Sequence, residues 1–221
     1  MNCAACKFLL YAIFCHAQIR KYSTKTGASS SMKKSNIVLI GMPGAGKSTV
    51  GVVLAKKLGK QFVDTDLLIQ AANGACLSSI IADCGNDALL AEENRILAGL
   101  ECKNHVIATG GSAIYGQEAM AHLTQIGCII FLDASYEKIC NCLGLDAENI
   151  CMESLEGRGV VLPDGMSLEE MYNQRLPLYR RYAQVTIKTD GLEVRETVEL
   201  AALKIAEYER GDACGEACDE D

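Results

Sequence analysis

Short apolar runs alternate with longer stretches of helical spacing along most of this chain. The run NIVLI at residues 36–40 is apolar after its asparagine, as expected of a parallel strand buried on both faces. It leads into KSTVGVVLAKKLG from residue 47, which has the spacing of a helix. KQFVDTD then predicts a second strand ending at Asp64, and LLIQAANG a helix stopping near Gly74. Further helical stretches are expected at 77–82 and 87–100. HVIATGG, from residue 105, reads as a strand running into a glycine pair, followed by a helix over 117–125, the strand CIIFLD and a helix over 135–142. Residues 144–165 lack a clear period and contain Gly144, Gly157, Gly159, Pro163 and Gly165, which predicts a mobile loop. SLEEMYNQRLPLYRRYA reads as a helix with a bend or break at Pro177. QVTIKT is the last strand, and EVRETVELAALKIAEYE a closing amphipathic helix.

Strands that alternate with helices imply an α/β fold in which right-handed crossovers join parallel strands and helices cover both faces. Ligands in such sheets bind beyond the carboxyl ends of the strands. That rule gathers the loop at 41–49, Asp64, Asp66, Gly110 and Gly111 on one rim.

The loop reads GMPGAGKST and fits G-x-x-x-x-G-K-S, with Gly41, Gly46, Lys47 and Ser48 in the required places. Glycines let successive backbone N–H groups approach and wrap phosphate oxygens, and the positive end of the following helix faces the same anion. Gly44, Ala45, Gly46, Lys47, Ser48 and Thr49 are therefore the expected ATP contacts, with Lys47 at the outer phosphates. Ser48 offers a hydroxyl to Mg2+, a hard cation that prefers oxygen. Asp64 and Asp66 flank Thr65 and point the same way at a strand end. Asp64 suits the metal, through water; Asp66 suits the orientation or deprotonation of an acceptor hydroxyl, or else it caps the helix beginning at Leu67. Arg158, flanked by glycines in the loop, is either a lid arginine that closes over the phosphates or a solvated loop residue.

Charge narrows the partners. Acidic residues are absent before Asp64, whereas residues after position 34 carry 28 acids against 15 bases, a net of −13. A body that acidic is a poor match for nucleic acid, so a small metabolite is the expected partner, with no membrane and no second copy of the chain. The twelve cysteines accompany a loop of ATP type that belongs in a reducing compartment, and most are expected as free thiols. Cys3, Cys6, Cys15 and His16 match no standard zinc spacing. Residues 1–31 read as an N-terminal extension open to three explanations: an upstream start before Met32, an organelle transit peptide, or a secretory signal. Residues 32–209 form the expected domain, with its lid at about 144–165, and 210–221 an acidic disordered tail. The expected compartment is the cytoplasm, or the mitochondrial or plastid interior if the extension is a transit peptide.

The ordered set GMPGAGKSTVG, FVDTD, ATGG, a lid arginine and RLPLYRRYA resembles the shikimate kinase family of small P-loop kinases, from Met32 to roughly residue 208. The resemblance implies a three-layer fold, a five-stranded parallel sheet with helices on both faces and a mobile lid. It implies ATP and Mg2+ at Lys47 and Ser48, the metal at Asp64 and the acceptor hydroxyl at Asp66. It further implies substrate contacts at Gly110 and Gly111, the lid role for Arg158 and the substrate carboxylate at Arg175.

Departures from the family pattern fall on the acceptor side. The helix that should read Phe-Arg-x-x-Glu reads LLAEE, so Glu93 keeps the acid while Leu90 stands in place of an arginine. Ser112 replaces the third of three glycines, Cys142 lies near the place of an adenine-side arginine, and the lid segment is lengthened between Gly144 and Glu156. Arg95 is expected on a different helical face from Leu90. The activity expected is ATP-dependent phosphorylation of a hydroxyl, shikimate to 3-phosphoshikimate first. The alternatives are another hydroxylated acid or an amino alcohol such as homoserine, or a nucleotide-binding module without turnover.

Overall fold

A computed structural model describes residues 34–144, 160–162 and 165–211. The extension 1–31, Arg158, most of the expected lid and the tail beyond residue 211 lie outside the described residues. Five strands form one sheet: β1 (Asn36–Ile40), β2 (Gln61–Asp64), β3 (His105–Ala108), β4 (Gly127–Asp133) and β5 (Val185–Lys188), in the order β2-β3-β1-β4-β5. All neighbouring pairs are parallel. Every residue of β1 is buried, as the uniform apolar run requires of a central strand covered on both faces. Its one polar residue, Asn36, is satisfied at depth: Nδ2 donates to the Cys102 carbonyl at 2.9 Å and Oδ1 accepts from His105 N at 3.0 Å.

The helices among the described residues are α1 (Lys47–Leu58), α2 (Thr65–Asn73), α3 (Leu77–Ala98), α4 (Gln117–Ile126), α5 (Tyr136–Leu143), α6 (Leu168–Tyr182) and α7 (Val194–Arg210). α1 packs on α7, and α3 packs on α2 and α4. The two helical stretches expected between 77 and 100 meet within α3 at Gly85, whose φ of 83° and ψ of 170° interrupt the helix. A 3-10 turn, Ala113–Tyr115, follows the glycine pair and has no counterpart in the sequence pattern.

Pro177 does not break its helix. α6 starts at a capping box of Ser167 and Glu170 and buries Leu168, Met171, Arg175 and Tyr179 along one stripe. That packing offsets the lost backbone donor, a cost of about 3 kcal/mol for an interior proline. Among the described residues no single helix is long and apolar enough to cross a membrane; α2 and α3 pass such a test only jointly, across an 87° bend.

Candidate active site

The phosphate loop joins β1 to α1. Gly46 caps α1 with φ 84° and ψ 16°, a left-handed conformation that glycine adopts without strain. Lys47 is buried, and its Nζ donates to the carbonyls of Gly41 and Met42, both at 2.8 Å. Burial lowers its pKa to about 8 against the opposing charges of Asp66, Asp64 and Glu93, with Arg175 adding to the decrease.

Asp64 and Asp66 face different neighbours. Asp64 accepts from Ser48 Oγ at 2.6 Å through Oδ2, and from the Asp66 backbone N at 3.0 Å through Oδ1. Asp64, and not Asp66, is therefore the cap of α2. Asp66 turns to the glycine pair: a β-carbon added at Gly110 would lie 2.9 Å from Asp66 Oδ1 and 2.4 Å from Glu93 Oε1. Burial raises the Asp66 pKa, and the charge of Asp64 raises it further while Lys47 opposes both. At Gly111 an added β-carbon would meet Pro43 Cδ at 2.6 Å, so the glycine pair lets the rim close against the phosphate loop.

Arg175 and Glu93 bring opposite charge into the interior. Arg175 is 1% exposed; Nη2 donates to the Val161 carbonyl at 2.6 Å, Nε donates to Tyr115 Oη at 3.3 Å, and the guanidinium lies 5.3 Å from the Tyr115 ring centre. Its Nη1 has no partner among the described residues. Glu93 is 3% exposed; Oε2 accepts from Ser112 Oγ at 2.6 Å and Oε1 has no partner among the described residues. Burial pushes its pKa up to about 7, the Ser112 hydrogen bond opposing and Asp66 reinforcing the rise.

A cavity of about 530 Å³ is walled by Lys47, Ser48, Thr49, Asp66, Gly110, Gly111 and Arg175, with Gly44 and Gly46 at the loop side. Of the other residues singled out from sequence, Ala45 borders a second cavity of about 1100 Å³ across the loop, and Asp64 reaches the first only through Ser48. Both cavities touch Gly44, Gly46, Cys142 and Val194. Leu90 is partly buried and packs beside Ile69, Ile80, Leu89 and Val161, while its neighbour Leu89 lines the cavity. Arg95 does not stand in for a missing arginine: it pairs with Glu92 through two bonds of 2.8 and 2.7 Å on the exposed face. Tyr115, Val161 and the Ser112–Glu93 bond carry no signal in the sequence, because each contact joins residues 14 to 60 positions apart.

Ser48 and Asp64 form a hard oxygen pair beside the loop, but the described residues contain no group of three or more His, Cys, Asp or Glu placed to hold a metal by themselves. That donor set fits Mg2+, which takes one or two protein oxygens and completes its shell with phosphate and water.

A phosphate loop at the carboxyl rim of an all-parallel five-stranded sheet, opening on a charged cavity sized for a metabolite, defines a small P-loop kinase. The family model for shikimate kinase matches residues 43–206. A shikimate kinase of Francisella tularensis subsp. novicida is 32% identical over 178 residues, 80% of this chain and 97% of that protein. One of Haemophilus influenzae is 34% identical over 159 residues, 72% of this chain and 85% of that protein. The solved shikimate kinase of Acinetobacter baumannii, in complex with shikimate, superposes with a TM-score of 0.65 at 30% identity, covering 82% of this chain and 96% of that one. The chain belongs to the shikimate kinase family, and with that family to the small-molecule kinases that use ATP.

Proposed function

We propose that the protein transfers the terminal phosphoryl group of ATP to a hydroxyl of shikimate, giving 3-phosphoshikimate. The observation that carries this reading is the pairing, in one cavity, of a buried guanidinium with an open Nη1 and a carboxylate oxygen beside the glycine pair. Arg175 anchors the acceptor carboxylate, and Gly110 and Gly111 leave room for its ring. Asp66 orients the reacting hydroxyl and takes its proton as the O–P bond forms. Lys47 leaves its two loop carbonyls for the phosphates, and the N–H groups of Gly44 to Thr49 hold them. Mg2+, held by Ser48 and through water by Asp64, supplies neutralisation of phosphate charge. Arg158 is assigned the lid role from its place between Gly157 and Gly159. The nucleoside lies in the larger cavity across the loop, where Cys142 faces it in place of an arginine.

Six free thiols among the described residues suit the cytoplasm.

Leu90 favours a second reading, in which the acceptor is another hydroxylated acid or an amino alcohol such as homoserine. One charged hydrogen bond is worth about 1.5–3 kcal/mol, so an acidic acceptor held by Arg175 without a second arginine is bound roughly tenfold to a hundredfold more weakly. Mg-ATP-dependent ADP formation by the full chain decides between them, with shikimate run beside a panel of hydroxy acids and amino alcohols. Turnover of shikimate at ordinary kinase efficiency supports the first reading; turnover of another panel member with silence on shikimate supports the second. Silence throughout, with ATP bound, marks a nucleotide-binding module.

A further inference from the structure

Asn86 lies on the wall of neither cavity, yet its amide is spent on one specific bond. It follows Gly85, where the helical path of α3 is interrupted, and its Nδ2 donates to the Leu162 carbonyl at 2.8 Å. Its Oδ1 is buried and has no partner among the described residues. An orphaned buried acceptor is costly, so the amide is not placed for its own satisfaction. What it supplies is a donor to the segment opposite.

That segment is Val160, Val161 and Leu162, each 7% exposed or less. Val160 and Leu162 pack into the main core, whereas Val161 joins the smaller cluster of Ile69, Ile80 and Leu89. Successive side chains therefore face opposite ways, as in extended chain. Successive carbonyls also go to different helices: Leu162 to Asn86 on α3, and Val161 to Arg175 Nη2 on α6 at 2.6 Å. The segment is strung between the two, with one bond on each side. Arg175 carries a rigid planar fork, so fixing Nε on Tyr115 Oη and Nη2 on the Val161 carbonyl also fixes the direction of the open Nη1. A shift of that carbonyl turns the fork.

We propose that Asn86 is a positioning residue for acceptor binding: by holding the Leu162 carbonyl it keeps the Val161 carbonyl in place, and so sets the direction of Arg175 Nη1. The inference rests on the reading that Arg175 anchors an acceptor carboxylate. It adds a group outside the cavity that sets the strength of that anchor. A donor is what the position requires, since an acceptor there would face a carbonyl oxygen.

The test uses the full chain and two variants, Asn86→Ala and Asn86→Asp, each checked for folding by ATP titration. Both keep Arg175 but lack the donor, the second by presenting an ionised carboxylate at pH 7. A misdirected charged hydrogen bond costs about tenfold or more in affinity, so KM for shikimate is expected to rise about tenfold in Asn86→Ala and at least as much in Asn86→Asp. KM for ATP and kcat are expected to stay within about threefold, a split that general loosening of the structure would not give. The route through Arg175 is read without turnover, from the Nε–H resonance of Arg175 in 15N-labelled protein, assigned by its loss in Arg175→Lys. That signal is expected to be sharp in the wild type and shifted or broadened in both variants.

An unchanged KM for shikimate in either variant overturns the inference, as does a parallel loss in kcat and in KM for ATP. A wild-type Nε–H signal that is absent, or one that the variants leave unmoved, overturns it as well. If the wild type phosphorylates neither shikimate nor any other hydroxy acid, the reading of Arg175 as a carboxylate anchor falls. The Nε–H resonance then decides alone whether Asn86 positions the guanidinium.

Discussion

The phenol of Tyr179 donates to the Gly111 carbonyl at 2.6 Å, tying helix α6 to the glycine pair at the sheet rim. Arg175 stands one turn earlier on the same face of that helix, so this bond sets the distance between the buried guanidinium and the glycine wall. Tyr179→Phe keeps the stacking on Phe131, whose ring lies 5.2 Å away, but leaves the carbonyl without its donor. The expected cost is about 1–3 kcal/mol in denaturant unfolding. KM for the acceptor should rise severalfold while KM for ATP stays put. A variant as stable as the wild type would show that water replaces the phenol.

Asp66→Asn separates binding from transfer. The amide keeps the size of the side chain but cannot take a proton, so kcat is expected to fall by at least about 100-fold, the lower range for a lost general base. ATP affinity, measured by titration without acceptor, should not weaken, because Asp66 carries charge of the wrong sign for phosphates. Transfer near the wild-type rate would remove Asp66 from its assigned role.

Lys47 predicts an alkaline limit on ATP binding. Burial lowers its pKa to about 8 in the ligand-free site. Phosphates favour the ammonium form, so the pKa rises in the complex and binding takes up a proton at high pH. The ATP dissociation constant should be flat below about pH 8 and then increase, by up to about tenfold per pH unit, until the pKa of the complex is passed. Titration calorimetry in buffers of different ionisation enthalpy would detect the proton; a flat profile to pH 10 would mean that Lys47 stays charged in the free protein.

The sheet and the phosphate loop were legible because local pattern dictates them: NIVLI can only be a strand buried on both faces, and the loop needs a strand before it and a helix after it. Asp64 and Asp66 were legible as a pair at one rim, but which of the two caps the following helix was not. The spacing of alternate residues puts both at one rim, whereas the capping bond from the Asp66 N–H is what turns the Asp64 carboxylate towards Ser48. The wall of the acceptor cavity was less accessible still. Successive helix positions differ by about 100° in direction, so Leu89 faces the cavity while Leu90 packs beside it. Of the bend or break expected at Pro177 the break does not occur, since the stripe from Leu168 to Tyr179 holds α6 together against that local preference. Ser112 looked like a departure from a glycine motif, and only the fold brings it to Glu93, nineteen residues away.

Cysteine chemistry offers a test of the local structure that is independent of catalysis. Cys76 occupies the cap position of α3, with its sulfur 3.1 Å from Ser78 Oγ and 3.0 Å from Ser79 Oγ. Those hydroxyls donate to the thiolate, and their hydrogen bonds lower its pKa to about 7. Burial pushes Cys102 up to about 11 and Cys128 up to about 12. More of Cys76 than of Cys102 or Cys128 is then thiolate at pH 7, and although a less basic thiolate is also a weaker nucleophile, the gain in population outweighs that loss. Brief treatment with iodoacetamide at pH 7, followed by peptide mass spectrometry, should label Cys76 at least about tenfold faster than Cys102 or Cys128. Replacing both Ser78 and Ser79 with alanine should raise the pKa of Cys76 and slow its labelling severalfold at pH 7, with little change at pH 9, where the thiol ionises without help. If the double variant reacts as fast as the wild type at pH 7, the two hydroxyls do not donate to the sulfur, and the geometry at the start of α3 is not what holds the thiolate.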